Sequence, residues 1–141
     1  MLASPTLALS LGLLAISAPP ALAGETQTLT TAGIGKPGYV RASVTVTWLS
    51  KRTFDLQGWV EDVCPADGRG AYLTVLSSAK PYSVADTNEC GNGRVYFDPP
   101  PMTAVSKNPM KSLGVGLAER DAQTGAEVRA RSVIFENWRT G

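Results

Sequence analysis

The chemistry open to this chain is limited by the residue types that it lacks. It has no histidine and only two cysteines, so no imidazole can act as a general base, activate a nucleophile or ligate a metal. A pair of carboxylates, as glycosidases use, is the catalytic device that remains. Because a domain of this size has little room for a substrate cleft, the sequence predicts a protein that is not an enzyme. A small carboxylate-dependent hydrolase is the alternative.

The two cysteines, Cys64 and Cys90, are predicted to form a disulfide, because an even number of cysteines in an exported chain is typical of paired thiols. The bond would close a loop of about 25 residues, which chain entropy values at roughly 3 to 4 kcal/mol of stability. Two free thiols are the alternative.

Acidic residues flank both cysteines. They are Glu61, Asp62, Asp67, Asp86 and Glu89. A disulfide holds its two Cα atoms about 5.5 Å apart and would gather these side chains at one end of the domain. Carboxylates are ligands that Ca²⁺ prefers. The candidate metal ligands are Asp62, Asp67, Asp86 and Glu89, with Ca²⁺ the one cofactor to consider. The alternative is that these are ordinary solvated loop acids.

One tryptophan lies where a ligand could use it. By alternation along its strand, Trp59 falls on the polar face, between Gln57 and Glu61. A rigid indole flanked by hydrogen-bonding groups is suited to stacking on a sugar ring. Trp59, Gln57 and Glu61 are therefore predicted ligand contacts. The alternatives are a loop or the N-terminal leader that covers the indole, and a bulge at Gly58 that turns it inward.

The N-terminal region has the organisation of a secretory signal peptide. An apolar run at 7–18 is followed by two prolines and then by Ala21 and Ala23, small residues where a signal peptidase reads the chain. The run is shorter than the roughly 20 residues that span a bilayer. We predict a signal peptide at residues 1–23, a flexible leader at 24–38 and one β-sandwich domain at 39–141. The protein is expected to be secreted and extracellular, with no membrane association after cleavage.

The charge of the chain argues against two classes of partner. Its formal net charge is +1 at pH 7, whereas nucleic acids and membrane surfaces attract proteins with a basic excess. We expect no nucleic-acid partner, and a monomer.

Hydrophobic alternation predicts the strands. Between residues 40 and 48 every second residue is apolar, which is typical of a half-buried strand. A second run after a short polar connection is expected to pair with it in antiparallel fashion. Strands are predicted at 40–48, 54–61, 72–76, 94–97, 113–117 and 128–134. The expected fold is all-β: one small β-sandwich, immunoglobulin-like or Greek-key, or a small open barrel, with about six to seven antiparallel strands and one disulfide.

The same patterns predict details of the later segments. Residues 77–93 are expected to form a long loop. Gly114, Gly116 and Ala118 leave one face of their strand nearly bare, which predicts that something packs closely over it. In the last strand Arg129 and Arg131 are expected to face solvent and the apolar residues to face the core. Those apolar residues are Val128, Ala130 and Ile134.

The segment from Cys64 to Tyr72, with the sequence CPADGRGAY, resembles a group of small secreted β-domain proteins of actinobacteria. The resemblance is specific over this segment and loose over residues 39–137. It implies a secreted β fold with a bridge between Cys64 and Cys90, and it implies no particular activity.

These observations together predict a non-catalytic extracellular domain that binds a glycan or another protein. An alternative is a proteinaceous inhibitor of a secreted hydrolase, which would present residues 77–93 as an exposed, disulfide-braced loop.

Overall fold

The computed structural model describes residues 23–33, 38–77, 81–87, 90–97 and 101–140. The predicted signal peptide lies outside these ranges except for Ala23. The described residues form nine strands and one short 3₁₀ helix, and within them no helix is long and apolar enough to cross a membrane. The elements are β1 Glu25–Thr30, β2 Tyr39–Trp48, β3 Thr53–Val63, β4 Arg69–Leu76, β5 Tyr82–Asp86, β6 Val95–Tyr96, β7 Met102–Val105, β8 Ser112–Asp121, β9 Glu127–Glu136 and the 3₁₀ helix Trp138–Thr140.

The strands form two antiparallel sheets that face each other, which confirms the expected all-β sandwich. The first sheet has the order β1-β2-β3-β6, with β7 also paired to β3. The second has the order β5-β4-β8-β9. The sheets stay open rather than closing into a barrel, and the strands are more numerous than the predicted six to seven because three short ones have weak sequence signals.

The core lies between the sheets and follows from strict alternation. Along β2, every second side chain from Val40 to Trp48 is almost completely buried. In β3 the buried face begins with Phe54 and Leu56, which pair with Trp48 and Val46 of β2. Leu73 of β4 and Leu117 of β8 fill the opposite side of the core. The predicted β2–β3 meander is therefore confirmed, with Trp48 in the core.

The prediction of a flexible leader at 24–38 is wrong for its first half. Residues 25–30 form the edge strand β1, which pairs antiparallel with β2 along its whole length, from Glu25 opposite Val46 to Thr30 opposite Arg41. Leu29 is the residue of β1 that enters the core, where it is 4% exposed. A Thr-rich strand with one core residue has little apolar alternation, which is why the sequence did not indicate it. Residues 34–37 lie outside the described ranges.

The long loop predicted at 77–93 is also interrupted by a strand. Residues 82–86 form β5, which pairs antiparallel with β4. Its last residue, Asp86, is buried at the end of the sheet. An edge strand pairs with a neighbour on one side only and needs few apolar residues, so its sequence can resemble that of a loop.

The disulfide between Cys64 and Cys90 is confirmed. It joins the turn after β3 to the segment after β5, with the two Cα atoms 4.8 Å apart. The bond links the first sheet to the edge of the second and so holds the sheets together at one end. Disulfides persist outside the reducing cytosol, and this bond is therefore compatible with the predicted export.

The predicted faces of the last strand are wrong for Arg129, Val128, Ala130 and Ile134, whereas Arg131 is exposed as expected. Arg129 is 6% exposed, whereas Ile134 is 60% exposed and Val128 is 42% exposed. Phe135, at the far end of the strand, is fully buried. Neighbouring residues on a strand face opposite ways, so the buried Phe135 and the partly buried Val133 place Ile134 outside. The buried Arg129 has the same parity as Phe135.

Replacing Arg129 tests its buried position. We expect Arg129→Met to lower the free energy of unfolding by about 3 kcal/mol or more, because it leaves a buried carboxylate short of a partner. Arg131→Met, two residues along the same strand and exposed, is the control and is expected to change stability by less than about 0.5 kcal/mol. Urea unfolding measures both. If both substitutions change the free energy of unfolding by less than about 0.5 kcal/mol, both arginines face solvent, as hydrophobic alternation suggested.

Candidate functional site

Alternation in the first sheet brings a row of aromatic and polar side chains to its outer face. Trp59 of β3 lies opposite Ser43 of β2 on one side and Tyr96 of β6 on the other. One step along the same face, Gln57 lies opposite Thr45. The predicted placement of Trp59 and Gln57 on the outer, polar face is thus what the structure has, with no bulge at Gly58.

These residues line a cavity of about 320 Å³, which we call the aromatic cavity. Its lining residues are Ser43, Thr45, Gln57, Gly58, Trp59 and Tyr96. The cavity lies where the outer neighbour of β3 changes, because β6 pairs with Trp59 while β7 pairs only as far as Leu56. The cavity thus lies beside the point where one outer strand replaces the other along β3.

Gly58 is required at this position by close packing. A Cβ atom there would come within 2.7 Å of the carbonyl oxygen of Ser43 and 3.3 Å of the ring of Phe97. Phe97 is buried on the core side, and its amide donates a hydrogen bond to the carbonyl of Gly58 at 3.0 Å. The floor of the cavity is therefore held by the core beneath it.

Trp59 is half-buried, so the prediction of an open indole is only partly right. The guanidinium of Arg94 stacks over the indole at 3.8 Å from the ring centroid, and that of Arg41 lies at 5.9 Å. A cation over an indole is a favourable arrangement. The cover comes from a side chain rather than from the loop or leader that the sequence left open. Tyr96, which is 54% exposed, is the more open aromatic ring.

Glu61 holds the two arginines in place. Its Oε2 accepts a hydrogen bond from Nε of Arg41 at 2.8 Å and a longer one from Nε of Arg94 at 3.5 Å. The hydrogen bond from Arg41 lowers the pKa of Glu61 below its usual value. Glu61 thus positions the cations beside the cavity and is not among the residues that line it, and its role as a direct ligand contact stays a prediction.

The aromatic cavity combines two kinds of surface. Two aromatic rings offer apolar faces, and three hydroxyls and a carboxamide offer hydrogen-bond donors and acceptors. Carboxylates and guanidiniums flank this lining but are not part of it. A ligand that presents C–H faces and hydroxyl groups together, as sugars do, matches such a surface.

A larger cavity, of about 570 Å³, lies on the outer face of the second sheet. Its floor includes Gly116, where an added Cβ atom would meet nothing within 4 Å. The expectation that something packs closely over the bare face of β8 is therefore wrong for the described residues. The exposed apolar residues Leu76 and Ile134 flank this strand. The described residues that line this cavity include no aromatic side chain.

The acidic residues near the disulfide meet a second set of charges, at one end of the sandwich. We call this set the buried ionic cluster. Its members are Asp62, Asp67, Arg69, Asp86, Glu119 and Arg129. At its centre, Oε1 of Glu119 accepts hydrogen bonds from Arg129 at 2.6 Å and from Arg69 at 3.0 Å. Asp67 lies 3.8 Å from Arg69 and 3.9 Å from Arg129.

The predicted gathering of carboxylates is present in part. Asp62 and Asp86 are both buried, and the backbone amide of Asp62 donates to Oδ2 of Asp86 at 3.0 Å. Glu61 faces the other way on β3, and Glu89 lies outside the described residues. Among the residues described, no group of three or more acidic side chains is arranged to hold a metal ion. The Ca²⁺ site stays a prediction. Of its described candidate ligands, Asp67 lies near Arg69 and Arg129, and Asp86 accepts the hydrogen bond from Asp62.

Burial and like charges shift the proton equilibria of the cluster. Burial, and then the charges of Asp67, Asp86 and Glu119, raise the pKa of Asp62 to about 7. Burial also raises the pKa of Asp67, whose protonated form can donate to Glu119. Burial alone would raise the pKa of Glu119, but the hydrogen bonds from Arg129 and Arg69 outweigh it and hold that pKa below its usual value.

Sequence reasoning missed several residues that shape these two regions. Tyr96 and Arg94 lie in and beside a strand of two residues, which gives too short a pattern for a face to be read. Arg41 could have been found, because β2 and β3 were predicted neighbours and their register places it opposite Glu61. Glu119 lies far from the cysteines in sequence and carries no local signal of burial.

The raised pKa of Asp62 predicts a pH-dependent stability. An acid whose pKa is higher in the folded state binds more protons there, so the free energy of unfolding falls as the pH rises. We expect a loss of about 2 to 3 kcal/mol between about pH 5 and pH 8. Asp62→Asn mimics the protonated acid and should flatten this dependence. Urea unfolding as a function of pH measures it.

Asp55→Asn is the control, because Asp55 lies on the outer face of the same strand and accepts a hydrogen bond from Thr103 at 2.6 Å. This variant should keep the wild-type slope. A wild-type protein that gains stability between about pH 5 and pH 8 would contradict a buried, protonated Asp62.

We compared the chain with known protein families, curated proteins and solved structures. No protein-family model matches the chain, and no curated protein and no solved structure is significantly similar to it. The resemblance of residues 64–72 to secreted actinobacterial β-domain proteins stays a prediction.

Proposed function

We propose that this protein is an exported, non-catalytic binding domain whose ligand is a glycan, bound on the outer face of the first sheet at the aromatic cavity. The observation that supports this most directly is the lining of the cavity. Trp59 and Tyr96 supply aromatic surface, and Gln57, Ser43 and Thr45 supply hydrogen-bonding groups around it.

The rigidity of the surface supports the same proposal. The lining residues lie mostly on β2 and β3, long paired strands whose opposite faces are fully buried. A preformed site loses little conformational entropy when a ligand binds. Sugars make many weak contacts, so a surface that is already ordered suits them.

The two alternative functions have less support from the geometry. An inhibitor would present residues 77–93 as a protruding loop, but residues 82–86 of that segment are part of the sheet as β5. A hydrolase would use a carboxylate pair, and the pair Asp62 and Asp86 is buried, 5% and 1% exposed. A substrate could not reach these two side chains without opening the sandwich.

Binding to a panel of polysaccharides tests the proposal. We expect the mature protein to be retarded in native gels that contain at least one of laminarin, xylan, galactomannan, alginate or polygalacturonate. Tyr96→Ala and Gln57→Ala should each weaken that binding by about fivefold or more, since each removes stacking area or a hydrogen bond. Oligosaccharide titration by calorimetry then gives the dissociation constants.

Val105→Ala is the matched control on the same sheet. Val105 is 66% exposed on β7 and lies outside the cavity, so its removal should leave binding unchanged. Migration unaffected by every polysaccharide in the panel would refute glycan binding. Equal weakening by Val105→Ala would show that the aromatic cavity is not the site.

A further inference from the structure

Two arginines beside the aromatic cavity share one carboxylate. The Nε atoms of Arg41 and Arg94 both donate to the same oxygen of Glu61. Because the hydrogen bond from Arg41 lowers the pKa of Glu61, this carboxylate is ionised at neutral pH. The three side chains therefore carry one net positive charge next to Trp59.

The guanidinium groups still have donors to offer. Each arginine uses only its Nε toward Glu61, and within the described residues the terminal nitrogens of Arg41 and Arg94 make no hydrogen bond to the protein. Both side chains are about two-fifths exposed, at 39% for Arg41 and 40% for Arg94. A guanidinium presents its donors as a planar fork, which fits the two oxygens of a carboxylate.

Arg94 is held at the place where a bound sugar would meet it. Its guanidinium lies 3.8 Å from the centroid of Trp59, and Trp59 itself lines the cavity. The pairing of Arg94 with Glu61 is the longer of the two, at 3.5 Å against 2.8 Å for Arg41. An incoming anion would therefore give up a weaker ion pair by binding Arg94 than by binding Arg41.

We propose, resting on the function proposed above, that the glycan is acidic and that Arg94 binds the carboxylate of a uronic acid residue while the sugar ring lies on the aromatic cavity. The carboxylate of a uronic acid is joined directly to the ring, so one residue can make both contacts. Its planar shape matches the fork of Arg94 better than the tetrahedral sulfate ester does. Arg41 keeps Glu61 engaged and so leaves Arg94 available.

Esterification of the ligand tests the charge directly. The probes are oligogalacturonate and oligomannuronate, each compared with its own methyl ester, which keeps the ring and removes the charge. We expect the methyl ester to bind at least about tenfold more weakly than the acid, because it cannot form the pair of charge-assisted hydrogen bonds with the guanidinium. Sulfated dextran and plain dextran distinguish a carboxylate site from a general response to negative charge.

Substitution of Arg94 tests the residue. Arg94→Gln should lower affinity for the acid by about tenfold or more and leave the methyl ester within about twofold, because uncovering Trp59 costs the neutral sugar nothing. Arg94→Lys should recover only part of the lost affinity, since an ammonium lacks the fork. Arg131→Gln, an exposed arginine of the second sheet, is the control and should change neither affinity.

The outcomes separate this inference from the broader function. Equal binding of acid and methyl ester, with both lost in Tyr96→Ala, would leave a glycan-binding domain and overturn the acidic preference. Binding of sulfated dextran as tight as that of the uronates would overturn the assignment to a carboxylate. Failure of both acid and ester to bind, while a neutral polysaccharide binds, would likewise overturn it.

Discussion

The structure depends on one of its buried carboxylates, that of Glu119, and on the two arginines that neutralise it. The side chain is 1% exposed, and a charge at such a position is tolerated only when partners satisfy it. Arg129 also donates to the carbonyl of Gly38 at 2.8 Å, and Thr31 donates to Glu119 at 3.2 Å. Thr31 directly follows β1 and Gly38 directly precedes β2, whereas Glu119 and Arg129 lie on β8 and β9 of the second sheet. These bonds therefore fix how the two sheets meet.

The position of the last strand follows from this contact. With Arg129 turned inward toward Glu119 and Phe135 buried at the other end, the apolar Ile134 has to face outward. The first sheet has no such conflict, because the apolar parity of β2 and β3 agrees with their pairing. Its outer face across β2 and β3 is therefore mostly polar and aromatic, and the exposed Val105 of β7 lies at its margin.

Much of the fold could be predicted from the sequence, and the errors about side-chain environment share one physical origin. The alternation from Val40 to Trp48, the disulfide and the outward position of Trp59 each follow from local patterns or from covalent geometry. The faces of β9 do not, because the burial of Arg129 depends on a partner in another strand. The cover on Trp59 was missed for the same reason: Arg94 reaches it only once β6 has paired with β3. Local patterns cannot report a contact that tertiary pairing creates.

The molecule contains the same ionic unit twice, a glutamate between two arginines, and burial decides what each does. Around Glu119 the contacts are short and closed to water, so the unit holds the sheets in register and its loss costs stability. Around Glu61 the arginines are two-fifths exposed, where ion pairs add little to stability. An exposed unit can therefore exchange one partner for a ligand without loosening the fold. The position of Glu61 beside the aromatic cavity, rather than its chemistry alone, is what makes it part of a candidate binding site.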